Sequence, residues 1–320
     1  MLSKSRHRDK IKINFNANVF KEVSMGIQFI TDSMCDVDEA ILHRYPFEIL
    51  PIPITIGDKT FFDGIDITPD MVIDAVDAHP DTFPKTSQVQ TVAYQKAFEK
   101  HLARGDDIIY LALSSGLSGT FQTASLIASQ LLEDYPDRKI AVVDSLCATT
   151  GMMLILHQGL KLGKLGRPFE EIVDTMTFLA RHVNIYFLVG DIKWLAKGGR
   201  IGKNVALIGD MLKIKPILYF QDGRILAYEK IRGQKKAERR LFELVDQKMP
   251  DKRQCVGFIE SKAPELQEKA RKALTKDLGI KNFIVPQAGA GAALTVHIGP
   301  KCLGIMFFDA LPDNYINVTP

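Results

Sequence analysis

The chain has 320 residues, 46% of them apolar and 25% charged, with a formal net charge of +3. That length sustains two domains with real cores, and the composition is that of an ordinary globular protein. The charge bias is too weak to argue for a nucleic-acid partner, and it leaves contact with phosphate or with a membrane surface to local patches only.

Residues 1–24 are polar and basic and lack the apolar stretch of a secretory signal, so they read as a disordered extension or as sequence upstream of a start at Met25. From there apolar strand-like runs alternate with helical patterns. Strands are predicted at 26–31, at 47–56 with a prolyl interruption, at 108–113 and at 140–143. Helices are predicted at 68–78, where Thr68 stands as N-cap and Pro69 at the first helical position, and at 89–104, 120–132, 149–162 and 170–182. This alternation argues for an α/β fold with a parallel sheet and helices on both faces over 25–182. Past His182 the texture changes. A short strand at 185–189 precedes a Lys/Gly-rich turn and a short helix near 205–211. Runs at 213–220 and 224–228 flank Gln221-Asp222-Gly223, a hairpin signal. A charged amphipathic helix at 235–248, a strand at 255–260, a helix at 264–278 and strands near 282–286, 294–298 and 303–308 complete a smaller mixed α/β C-terminal domain over 183–320.

The most telling stretch is Ser114-Ser115-Gly116-Leu117-Ser118-Gly119-Thr120. A buried strand, a turn of hydroxyls and glycines, and a helix start together build an anion site, because the first amides of a helix lack intrahelical partners and the helix dipole is positive there. Two further strands end in Thr31-Asp32-Ser33 and Asp144-Ser145. Ligands of open α/β sheets bind beyond the carboxyl ends of strands, so three polar tips at one edge suggest a site, although Asp and Ser also cap helices. Lys85-Thr86-Ser87-Gln88 forms a fourth polar cluster, in which Thr86 or Ser87 is a natural N-cap unless the turn faces the Ser114–Thr120 loop.

Other chemistries fit less well. Gly116-Leu117-Ser118-Gly119-Thr120 resembles a nucleophile elbow but ends in Thr, and a hydrolase or acyltransferase built on Ser118 needs a helper, for which His297 at the end of an apolar strand is the best candidate. No Walker loop is present, which argues against an autonomous kinase, and the lone Gly289-Ala290-Gly291 before a strand pattern is weak evidence for a dinucleotide. The four cysteines, Cys35, Cys147, Cys255 and Cys302, form no C-x-x-C pair, and neither they nor the histidines show metal-ligand spacing; buried, reduced thiols and no metal are expected. Lys197-Gly198-Gly199-Arg200-Ile201-Gly202-Lys203 places cations around a diglycine turn, either a solvated loop or a surface that meets phosphate.

Taken in order, Thr31-Asp32-Ser33, Lys85-Thr86-Ser87-Gln88, the Ser114–Thr120 run, Val143-Asp144-Ser145, Lys197-Gly198-Gly199-Arg200-Ile201, Lys213-Ile214-Lys215-Pro216, Asp222-Gly223 and His297 resemble the DegV family, from about Met25 to near Phe308. The resemblance implies a cytoplasmic two-domain protein that binds one long-chain fatty acid and needs no cofactor. It further implies that the protein serves as the lipid-binding subunit of a fatty acid kinase, presenting the acyl carboxylate to a separate ATP-using subunit. Carried over, Thr86 and Ser118 bond the carboxylate through their hydroxyls, the Gly119 amide adds a donor and His297 completes the polar end; Arg200 and Arg232 fall nearer a partner-facing surface. A palmitoyl tail of about fourteen methylenes at ~0.8 kcal/mol each yields on the order of 10 kcal/mol gross on burial, so the tail dominates affinity and the hydroxyls fix its direction. Cys35, Val89 and Met153 depart from the family pattern, the last at a position where a bulkier residue could reshape the cavity.

Overall fold

The computed structural model describes residues 26–201 and 214–317. The proposed N-terminal extension and the helix expected near 205–211 lie outside them.

Four parallel strands, β1 (Ile27–Asp32), β2 (Glu48–Leu50), β6 (Asp107–Ala112) and β7 (Ile140–Asp144), form a sheet in the order β2-β1-β6-β7. The connections carry helices α1 (Glu39–Arg44), α2 (Pro69–Ala78), α3 (Thr91–Leu102) and α4 (Thr120–Asp134), and α5 (Thr150–Lys164) and α6 (Phe169–His182) follow β7. Thr68 caps α2 as the sequence suggests, its side chain accepting from the Met71 amide, with Pro69 opening the helix. The prolines at 51 and 53 divide the expected strand 47–56. Its first part pairs with β1, and the second becomes β3 (Pro53–Ile56), which joins β4 (Lys59–Phe62) and β5 (Lys85–Thr86) in a small antiparallel sheet ordered β4-β3-β5.

The remaining strands are β8 (Val183–Leu188), β9 (Ile214–Gln221), β10 (Arg224–Arg232), β11 (Val256–Ser261), β12 (Phe283–Ile284) and β13 (Cys302–Phe308). They make a six-stranded sheet ordered β10-β9-β8-β13-β11-β12, antiparallel except for β11 with β12. The hairpin signal forms as expected: Asp222 and Gly223 both have positive φ, 49° and 74°, the turn that matches strand twist. Side-chain alternation splits this sheet's two faces. Tyr186, Leu188, Phe258, Leu303, Ile305 and Phe307 pack with α8 (Gln234–Lys248) and α9 (Pro264–Leu278), whereas Ile185, Phe187, Ile259, Cys302 and Met306 point to the other side.

Helix α5 joins the two large sheets. Every residue from Thr150 to Gly163 is buried, even His157, Gln158 and Lys161. It packs on α6 and on β8, β11, β12 and β13. Gly151 and Gly159 permit this approach, since a Cβ would stand 2.8 Å from Ile185 Cδ1 in the first case and 2.5 Å from Met176 Sδ in the second.

One expected strand is a helix. Residues 292–298 form α10 (Ala292–Ile298), not the strand that Leu294–Ile298 suggested. The apolar run reads as strand because it is buried on every side. The helix is fixed by acceptors far away in sequence, Asp36 for the Gly291 amide and Asp63 for the Ala292 amide, and it stops at Gly299, where φ is 61°.

Candidate functional site

The turn from Ser114 to Thr120 is built by its own polar groups. Ser114, fully buried, donates its hydroxyl to Gly223 O at 2.8 Å and accepts the Gly116 amide at 3.2 Å, while its carbonyl takes the amides of Leu117 and Ser118. The hairpin tip therefore seats directly on this turn, and a Cβ at Gly116 would lie 2.6 Å from Gly223 O. Ser118 Oγ accepts the Thr120 amide at 3.3 Å and pairs with Thr120 Oγ1 at 2.9 Å. With Thr120 donating, the Ser118 proton is left to point outward. Gly119, exposed, opens α4 as its N-cap.

Asp32 and Asp144 brace these turns and do not line the cavity described below. Asp32 accepts the Leu113 and Met34 amides and the Tyr110 hydroxyl; burial raises its carboxyl to about 6, against the lowering effect of those donors. Asp144 accepts the amides of Ser115 and Leu146. Lys85-Thr86-Ser87-Gln88 is likewise no helix cap: Gln90 precedes α3, and no side chain caps it. The cluster faces the Ser114–Thr120 turn instead, and a Cβ at Gly119 would meet Gln88 Oε1.

Between these elements lies a narrow cavity whose space, open mouth included, is about 750 Å³. Its walls are mostly apolar. The inward face of the six-stranded sheet supplies one side, Phe220 and Ile225 of the hairpin another, and Met34, Leu113 and Ala148 at the strand tips a third. Polar side chains gather among them: Thr86, Ser87, Ser118, Thr149, Arg200 and His297. Met153 is buried within α5 but is not on the wall, so its bulk does not reshape the cavity directly.

His297, on α10, meets Thr86 of β5 with Nε2 2.8 Å from Oγ1. Its Nδ1 is buried without a partner, and a Cβ at Gly198 would stand 2.5 Å from it. Burial and then the positive charge of Arg200 push the imidazole down to about 3, so it is neutral. A bare lone pair at Nδ1 suits the neighbouring guanidinium better than an N–H would. The proton therefore belongs on Nε2, which donates to Thr86 and leaves the threonine hydroxyl free to donate in turn. Arg200, half-buried on the cavity wall, donates to Leu117 O and Gly198 O. Arg232 is exposed at the end of β10, away from the cavity.

The Thr86 and Ser118 hydroxyls, a neutral imidazole and one guanidinium at a mostly apolar cavity can receive a molecule with a greasy body and an anionic head. A serine–histidine pair is not assembled, since the imidazole bonds Thr86 and Ser118 bonds Thr120. The four cysteines are free and buried. Among the described residues no His/Cys/Asp/Glu group could hold a metal, and no helix is long and apolar enough to cross a membrane. Sequence reasoning did not find Asp36 and Asp63, which hold α10, and it gave no signal for which apolar residues line the walls.

The fold is mixed α/β and encloses a mostly apolar cavity. The chain belongs to the DegV family, whose model matches residues 26–310. A DegV domain-containing protein of Clostridium perfringens is 31% identical over 288 residues, 88% of this chain and 99% of that one. Among solved structures, a DegV family protein of Thermus thermophilus described for fatty acid binding superposes with a TM-score of 0.81 at 27% identity, covering 88% of this chain and 99% of the other. A stearic acid-binding protein of Eubacterium ventriosum gives 0.79 at 26% identity, covering 88% and 97%.

Proposed function

We propose that this protein binds one long-chain fatty acid, tail in the apolar cavity and carboxylate among Thr86, Ser118, the Gly119 amide and His297, and presents that carboxylate to a separate kinase subunit that makes acyl phosphate. The observation that carries the reading is the hydrogen bond between His297 Nε2 and Thr86 Oγ1 on the wall of a mostly apolar cavity, because with the proton on Nε2 it orients the threonine hydroxyl as a donor. Hydrogen bonds to a charged head contribute roughly 1.5–3 kcal/mol each. Tail burial outweighs them, which suits a carrier whose head must stay reachable. Thr86 and Ser118 are only half-buried, and Gly119 is exposed, so the head end meets the surface. The fatty acids named for solved relatives of this family support the ligand class. In this reading the chain performs no chemistry of its own, requires no cofactor and works in the cytoplasm. Arg200 steadies the turn at the head end, and exposed Arg232 belongs to the partner-facing surface.

Native mass spectrometry of the purified chain should show one fatty acid per chain. In an assay reconstituted with the kinase subunit, Thr86→Ala and Ser118→Ala should lower acyl phosphate formation more than lipid retention. Unchanged turnover in both variants refutes the carboxylate assignment, and fluorophosphonate labelling of Ser118 would favour a hydrolase.

A further inference from the structure

The helix that carries His297 belongs to neither large sheet. Its entry is held by two carboxylates from the first part of the chain. The Gly291 amide donates to Asp36 Oδ1 at 2.7 Å and the Ala292 amide to Asp63 Oδ1 at 2.9 Å. The second oxygen of each takes a hydroxyl, Thr149 on Asp36 at 2.5 Å and Ser33 on Asp63 at 2.9 Å. Both hydroxyl residues are tied to the cavity. Thr149 lines it and donates its amide to Met34 O at 2.7 Å, and Ser33 Oγ accepts the amide of Ile52, another wall residue. Gly291 sits astride the pair, since a Cβ there would lie 3.1 Å from Asp36 Oδ1 and 3.4 Å from Asp63 Oδ2. Asp36 is 5% exposed and Asp63 4%, and among the described residues neither makes an ion pair.

Two buried carboxylates without a counter-charge, both within reach of one glycine, are costly to keep. A neutral acceptor could satisfy the same amides at less cost. What the carboxyls provide is acceptors for the first turn of α10 that also titrate, and the last turn sets the imidazole against Thr86.

We propose that Asp36 and Asp63 are positioning residues for the head end of the cavity: they fix α10 so that His297 meets Thr86, and, as buried carboxyls that ionise without a counter-charge, they make the hold on the ligand depend on proton uptake. This rests on the fatty-acid reading above. Burial raises both, Asp36 to about 7, with the charge of Asp63 adding to it, and Asp63 to about 6. A closed latch with raised carboxyls takes up protons as it closes, so rising pH favours opening. Among the groups around it, Asp32 is raised in the same sense, and the Cys35 and Cys302 thiols are pushed up and stay neutral. Glu260 lies beyond Gly289. The charges on the elements packed against α10, namely Asp70, Asp74 and Asp77 of α2, Lys85 of β5 and Lys193 and Lys197 of α7 (Ile192–Lys197), are exposed. His297, depressed to about 3, and Arg200 stand at the far end. Below about pH 6.5 the imidazole's own proton demand opposes the carboxyls, so the clean window lies above it.

The test loads the full chain with palmitate and follows its transfer to excess albumin from pH 6.5 to 8.5. Wild-type release should quicken about fivefold across that range. In Asp36→Asn, where the amide keeps an acceptor for Gly291 and offers a donor to Thr149, the pH slope should fall below about twofold. Asp36→Ala, which strands both partners, should release palmitate at least tenfold faster throughout and shift the His297 ring ¹⁵N signals; Asp63→Asn repeats the slope test if the alanine variant does not fold. A wild-type pH slope in both asparagine variants overturns the proposal. If no chain binds palmitate, the ligand reading falls alone, and the latch is judged by the ring signals, whose constancy in Asp36→Ala would overturn it.

Discussion

The sheet that walls the cavity has a bare position, and filling it should shorten the ligand the protein prefers. Gly304 lies in β13 directly across from Phe187 on one side and Ile259 on the other. A Cβ added there would lie 2.8 Å from Ile259 Cγ2, 3.1 Å from Met306 Cε and 3.4 Å from Phe187 Cβ, and all three of those residues are on the wall. Carbon atoms settle at about 3.5–4.0 Å, so something must move by roughly 1 Å. Ile259 is β-branched and held in the ladder, and the Phe187 contact is already near that distance, which leaves the flexible tip of Met306 to swing into the cavity. The fold itself should lose about 1–3 kcal/mol to overpacking. Displacing one ligand methylene costs ~0.8 kcal/mol, about fourfold in Kd. Competition against a fluorescent fatty acid should therefore show Gly304→Ala weakening stearate about fourfold or more while myristate is little changed. An equal loss for both chain lengths, or no loss for either, would refute the assignment of this sheet face to the tail.

Three other outcomes are expected. Ser114→Ala removes the donor to Gly223 O and the acceptor of the Gly116 amide, and should lower stability by about 1–3 kcal/mol in urea unfolding while speeding amide exchange at the hairpin tip. His157, 1% exposed with Nε2 unpartnered, is depressed from 6.5 to about 3, chiefly by burial. A base whose pKa falls on folding contributes stability that is full above about 6.5 and is lost as pH drops toward 3, so His157→Phe should gain about 2 kcal/mol relative to wild type on going from pH 7.5 to pH 5. Gly198→Ala would place a Cβ 2.5 Å from His297 Nδ1 and should displace the ring from Thr86; a drop of about tenfold in fatty-acid affinity with a shifted imidazole NMR signal would bear that out.

What could be read from the sequence was local. The Ser114–Thr120 turn announces itself because its strand, glycines, hydroxyls and helix start are contiguous, and the Thr68-Pro69 start of α2 and the Asp222-Gly223 turn are legible for the same reason. Helix α10 was not, because the acceptors that fix it stand 255 and 229 residues away, and a seven-residue apolar run offers no period of its own. The split of 47–56 between two sheets depends on which neighbour each half finds. Cavity walls drawn from segments as distant as Met34 and Met306 leave no pattern in sequence, and His297 was picked out by its residue type while its secondary structure was misjudged.

The hairpin tip and the Ser114–Thr120 turn touch through two bare backbones, and this limits how the protein can be re-engineered. A methyl at Gly116 strikes Gly223 O, and one at Gly223 strikes Ser114 Oγ, so neither change can be offset by trimming the other. A combinatorial library aimed at new ligands should freeze both glycines and place its diversity at Phe220 and Ile225, which border the tip on either strand and reach the cavity without disturbing the junction.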